Sequence, residues 1–126
     1  MIVVESTNRS GAAVETGAAE EVARAVLAGE GMIDGELGLV WVGSDEMRSL
    51  KKEHLGIDEA TDVLSFPLDG RDELPAGEPR ALGDVVLCPQ VVGDEWREPL
   101  VHGLLHLLGY DHGDEMEARE EAYAER

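Results

Sequence analysis

An α+β fold, a mixed four-stranded sheet with helices packed on it, is predicted by three features of the sequence. Short β-type runs alternate with segments of helical periodicity, no segment is repeated, and three of the four histidines gather near the C-terminus at metal-ligand spacing. With 126 residues the chain has the length of one domain, read as spanning 1–126, and buries roughly two thirds of its unfolded surface.

Met1-Ile-Val-Val reads as the first strand. A helix follows over Thr16 to Ala28, with Thr16 as its N-cap, Val22, Val26 and Leu27 on its inner side, and Gly29 and Gly31 to stop it. Glu36 to Val42 is the second strand, and Ser44 caps a second helix that runs to about His54. Val63 to Phe66 and Ala81 to Leu87 are the third and fourth strands. The polar, Gly- and Pro-containing segment between them, Leu68 to Pro79, is predicted to be a mobile surface loop. A helix beginning around Pro99 carries two histidines, and an amphipathic helix from Asp114 to Ala124 ends the series. Helical connections imply parallel crossovers through the third strand, while the loop connection allows the fourth to run antiparallel.

His102 and His106 are four apart, which on a helix stacks them on one face about 5–6 Å apart, near enough for two imidazoles to hold one ion. Gly109 stands where the helix should stop, since glycine takes the left-handed C-terminal conformation without steric cost, and His112 then returns as a third ligand. The spacing H-x3-H-x5-H is that of the long zinc-protease motif H-E-x-x-H-x-x-G-x-x-H, with Gly103 in place of the glutamate that serves those peptidases as general base. Three protein ligands leave a coordination position open, which points to catalysis more than to a structural ion. One zinc per chain is the expected occupant.

The run His102 to His112 resembles the signature of the YbeY family of ribosomal RNA maturation endoribonucleases. Thr61-Asp-Val-Leu-Ser-Phe-Pro67 and Leu82-Gly-Asp-Val-Val-Leu-Cys-Pro89 resemble that family's two strand motifs, in order and at similar distances. The resemblance extends over Val40 to Tyr123. It implies a core similar to that of zinc metalloproteases with the metal cleft beside the edge strand. It also implies a metal-dependent, single-strand-specific endoribonuclease acting in small-subunit (16S) rRNA maturation and ribosome quality control. The partners implied are single-stranded RNA and the small ribosomal subunit, and the chain is taken to act as a monomer. Asp62, Ser65 and Asp84 are candidates to orient ligands or substrate, with strand-end or turn hydrogen bonds as the alternative. No general base is assigned; Asp111, beside the cage in sequence, is a weak catalytic candidate, and Tyr110-Asp111 reads equally as a turn. In the family an arginine commonly precedes the Gly-x-Asp ahead of the third strand, where this chain has Leu55 before Gly56-Ile-Asp58, with His54 adjacent. Two rival readings remain, a zinc metallopeptidase-like hydrolase and a non-catalytic, zinc-stabilised ribosome assembly factor.

Charge opposes nucleic-acid binding at first sight. Ten Lys and Arg against 28 Asp and Glu give a net charge of −18, where a nucleic-acid binder usually shows a basic footprint. Arg48, Lys51 and Lys52 share one helical face and are the candidate RNA contacts. Much of the acid lies elsewhere, as in the seven carboxylates from Asp111 to Glu125. No apolar run reaches the length of a membrane span and no signal-peptide pattern opens the chain, so a cytoplasmic protein is expected. The single Cys88 fits a reducing compartment and reads as a buried, inert thiol.

Overall fold

Alternation along the strands divides the apolar residues between the two faces of one sheet. The computed structural model describes residues 1–124, so Glu125, last of the tail carboxylates, lies outside the described residues. The elements are β1 (Ile2–Asn8), α1 (Thr16–Gly29), β2 (Gly35–Trp41), α2 (Ser44–Leu55), β3 (Val63–Pro67), β4 (Ala81–Leu87), α3 (Pro89–Val92), α4 (Arg97–Leu107) and α5 (Asp114–Ala124). The strands lie in the order β1-β2-β4-β3. On one face Leu37, Leu39 and Trp41 of β2 join Val85 and Leu87 of β4 beneath Ala23, Val26 and Leu27 of α1 and Leu100, Leu104 and Leu107 of α4. On the other, Val86, Val42 and Cys88 pack on Met47 of α2.

The sheet is mixed, but the strand that breaks the parallel series is β3. β1, β2 and β4 are mutually parallel and β3 pairs antiparallel with β4 at the edge. The reason is that α2 makes no return crossing. Val63 pairs with Leu87, which also pairs with Trp41 at the end of β2, so β3 begins at the end of the sheet where β2 finishes.

Helix starts differ from expectation by a residue or two. α1 is capped from Glu15, with Thr16 its first residue, and α2 from Gly43, with Ser44 its first residue; neither cap makes a side-chain hydrogen bond. α4 begins at Arg97, which puts Pro99 in the first turn, where a missing N–H has no helical partner to lose. The single turn of α3, opened by Pro89, was not legible in advance. The ends of the β3–β4 connection are tied to the sheet and to each other, and residues 75–79 lie exposed on the surface. Leu68 and Asp69 continue the ladder to Leu82 and Ala81 at 3.1 and 2.8 Å. The Arg80 guanidinium donates to the carbonyls of Gly70 and Asp72 at 2.6 and 2.8 Å. Gly and Pro in this segment mark an irregular backbone whose ties come from both backbone and side-chain hydrogen bonds. No helix among the described residues is long and apolar enough to cross a membrane.

Candidate metal centre

α4 buries Leu100, Val101, Leu104, Leu105 and Leu107 against the sheet and the neighbouring helices and leaves His102 and His106 half-buried on its open side. After α4, Gly109 at φ +99° and a Tyr110 N–H bond to the Leu105 carbonyl at 3.1 Å turn the chain back. That turn delivers His112. The three rings sit with centroids 4.5, 4.6 and 5.1 Å apart, and one nitrogen from each lies within 4.8 Å of the others. His102 Nε2 and His106 Nε2 are 3.0 Å apart, close to the spacing of about 3.3 Å that tetrahedral zinc with bonds of about 2.05 Å imposes on two ligand nitrogens.

The outer nitrogen of His106 is hydrogen-bonded as a ligand imidazole requires, and that of His102 faces a carboxylate. His106 Nδ1 lies 2.9 Å from the Tyr110 carbonyl, so Nδ1–H is the donor and Nε2 is left for an ion. His102 Nδ1 is 3.4 Å from the Glu120 carboxylate on α5. Burial, reinforced by the charges of His102 and His112, pushes the His106 pKa down against the pull of the Tyr110 carbonyl. The resulting preference for neutral imidazole is the form that binds a metal.

A second buried group lies behind the turn. Glu30, the C-cap of α1 with its side chain 2 % exposed, accepts hydrogen bonds from Tyr110, Tyr123 and Arg119 and forms an ion pair with Arg71 at 3.1 Å. Burial alone would raise its pKa, but those hydrogen bonds and the Arg119 charge outweigh it and hold the carboxyl at about 2. No spacing in the sequence signals this group, because its partners lie 41 to 93 residues away.

The cluster opens into a cleft of about 760 Å³ along β3, lined by Asp62, Ser65, Phe66, Glu98, Glu120 and the three histidines among others. Ser65 Oγ donates to the Gly103 carbonyl at 2.7 Å, and Asp62 Oδ1 accepts from the Val63 N–H at 2.8 Å. Both therefore serve the frame of the cleft and neither reaches an imidazole through these bonds. Asp84 stands over Gly38 on the opposite face of the sheet and takes no part. Asp111 lines an adjoining depression with Arg71 that shares His112 with the cleft, and its charge acts on His106. Besides Asp62, the cleft carboxylates are Glu98, one helical turn before His102 and so findable from sequence, and Glu120, brought in by the packing of α5. Arg48 and Lys52 pair with Asp58, and Lys51 with Glu59. Leu55 is 58 % exposed on the cleft wall, beside a His54 ring packed edge-on to Phe66 at 4.8 Å.

Comparison with known proteins agrees with this geometry. The family model described as endoribonuclease YbeY matches residues 5–126. An endoribonuclease YbeY of Salinispora tropica is 40 % identical, the match covering 93 % of this chain and 87 % of the relative. One of Halorhodospira halophila is 43 % identical over 73 % of this chain and 67 % of its own. A solution structure of a Thermotoga maritima protein superposes with a TM-score of 0.63 at 26 % identity, covering 99 % of this chain and 87 % of that one. With its strand motifs, its histidine cluster and a family match over nearly its whole length, the chain belongs to the YbeY endoribonuclease family.

Proposed function

We propose that the chain is a zinc-dependent endoribonuclease that cuts single-stranded RNA during small-subunit rRNA maturation and quality control, acting as a monomer in the cytoplasm. The observation that carries this reading is the convergence of His102, His106 and His112 at the floor of an open cleft, in a chain whose relatives are named endoribonucleases. The donor set fits zinc, which when bound acts as a Lewis acid toward a phosphate oxygen and lowers the pKa of water toward about 7. The chain's own part is positional. The Tyr110 carbonyl holds the outer nitrogen of His106 and Glu120 faces that of His102 at 3.4 Å, and both rings turn Nε2 inward. β3 and the start of α4 form the walls along which a strand of RNA lies.

A single-strand preference, implied by the family resemblance, is supported by the cleft lining. There the Phe66 and His54 rings offer stacking surfaces for unpaired bases, and no described residue is Lys or Arg. A duplex is gripped chiefly through its phosphates, whereas an unpaired strand can also be held through its bases. The test is incubation of the purified chain with single-stranded RNA, duplex RNA and casein, each with and without chelator. Chelator-sensitive cutting of the single strand alone supports the proposal, and zinc-dependent peptide cleavage would reverse it. The lack of cleft cations also favours a second reading, an assembly factor that binds zinc without cutting, and intact RNA in every arm would select it.

A further inference from the structure

Two supports of the histidine cluster lead back to one buried side chain. Tyr110, whose carbonyl holds His106 and whose chain segment carries His112, has its hydroxyl bonded to Glu30. Arg119, next to the Glu120 that lies against His102, donates its Nε–H to the same Glu30 at 2.9 Å. Arg71 of the β3–β4 connection completes the ring, bonding the Glu30 backbone carbonyl at 3.1 Å and stacking over Tyr110 with 5.6 Å to its centroid. Around His112 itself, an exposed residue, the nearest side-chain anchor along the chain is thus Tyr110.

We infer that Glu30 is a positioning residue of the metal centre: by fixing Tyr110 and Arg119 together it sets the path of 109–112 and the docking of α5, and through them the separation of His112 from the two helix histidines. This inference rests on the metal reading of the cluster. A carboxylate is suited to the task because it is acceptor-only and takes several donors at once, here two phenols and a guanidinium. Shortening or neutralising any arm relaxes a ligand without touching it.

Cobalt(II) is the probe, since its visible absorption reports coordination geometry and its affinity is measured without substrate. Glu30→Gln keeps the shape and removes the charge, and Tyr110→Phe removes one hydroxyl while leaving Glu30 with Arg119 and Tyr123. Val86→Ala, in the cluster on the opposite face, serves as a control for lost stability alone. Outer partners of ligands typically change metal affinity by about 10- to 100-fold. The expected result is a rise in cobalt Kd of that order in both variants, with an altered absorption band, under conditions where circular dichroism shows them folded; Val86→Ala should lower Tm with Kd and band unchanged. If Glu30→Gln does not fold, Tyr110→Phe alone decides. Unaltered Kd and band in a folded Tyr110→Phe would reduce Glu30 to a structural staple and overturn the inference. Failure of the unmodified chain to bind cobalt would instead remove the metal reading, and the inference with it.

Discussion

Ser65 Oγ and the Gly103 carbonyl are joined at 2.7 Å, tying the edge strand to α4 between its two histidines. The approach leaves no room for a side chain at 103. A β-carbon there would lie 2.9 Å from Val63 Cγ2, 2.9 Å from Val85 Cγ1 and 3.2 Å from Ser65 Oγ. The position that supplies the base in the zinc peptidases is here a packing contact, which gives the missing glutamate a structural reason.

Gly103→Glu therefore should not convert the protein into a peptidase. Overpacking costs about 1–3 kcal/mol and an unpaired buried charge adds to it, so a clear fall in Tm and no casein cleavage are expected. A stable variant with peptidase activity would show that helix and strand separate easily.

Metal content should be about one zinc per chain, and alanine at His102, His106 or His112 leaves only two nitrogens. Elemental analysis after dialysis should then show severe loss for each of the three variants. Full occupancy in His106→Ala would refute the ligand assignment.

Leu55→Arg should be tolerated, since Leu55 is more than half exposed on the cleft wall, and surface changes usually stay within about 0.5 kcal/mol. The guanidinium gains reach of an RNA phosphate in the cleft. Tighter RNA binding at unchanged Tm is the expected outcome; unchanged binding would show that RNA does not pass the end of α2.

Lys51 and Lys52 were natural candidates for RNA contacts, but Glu59 and Asp58 already face them. Replacing both lysines by alanine should leave the slope of log affinity against log salt unaltered, because each true contact to single-stranded RNA contributes about 0.7. A flatter slope in the double variant would place the RNA along α2.

Acid stability should depend on Glu30. Against the pull of burial, its hydrogen bonds and Arg119 hold its carboxyl pKa down to about 2 against an ordinary 4.5, so its stabilisation is fully present above pH 4.5 and fades as pH falls toward 2. The difference corresponds to roughly 3 kcal/mol at 1.36 kcal/mol per unit. Urea unfolding of the metal-free chain and of Glu30→Gln should differ most above pH 5 and converge in strong acid. A constant gap across that range would contradict the assignment.

The clustering of the three histidines was legible because they lie on one helix and the turn after it, where spacing in sequence is spacing in space. The four strands were legible from their β-branched runs, and the cleft's place beside the edge strand followed from resemblance. Asp84 was misplaced because neighbouring strand positions face opposite sides, and only the register reveals that it shares a face with α2. Strand direction failed at β3 since a helix between two strands signals a crossover whether or not it returns along the sheet. Glu30 and Glu120 were invisible for a plainer reason: their partners are brought to them by the docking of α1 and α5, and no local pattern encodes that encounter.

The edge position of β3 bears on association between molecules. Its even-numbered residues pair with β4, as Cys88 N–H to Asp62 and Leu68 N–H to Leu82 show, so Val63, Ser65 and Pro67 turn their backbone groups outward. Asp62 already occupies the Val63 amide, and Pro67 has none. A strand from another molecule approaching this rim meets a backbone donor at Ser65, flanked by a carboxylate and a pyrrolidine ring. The rim can border an open cleft without becoming a template for sheet extension, and aggregation is held off by the same residues that frame the cleft.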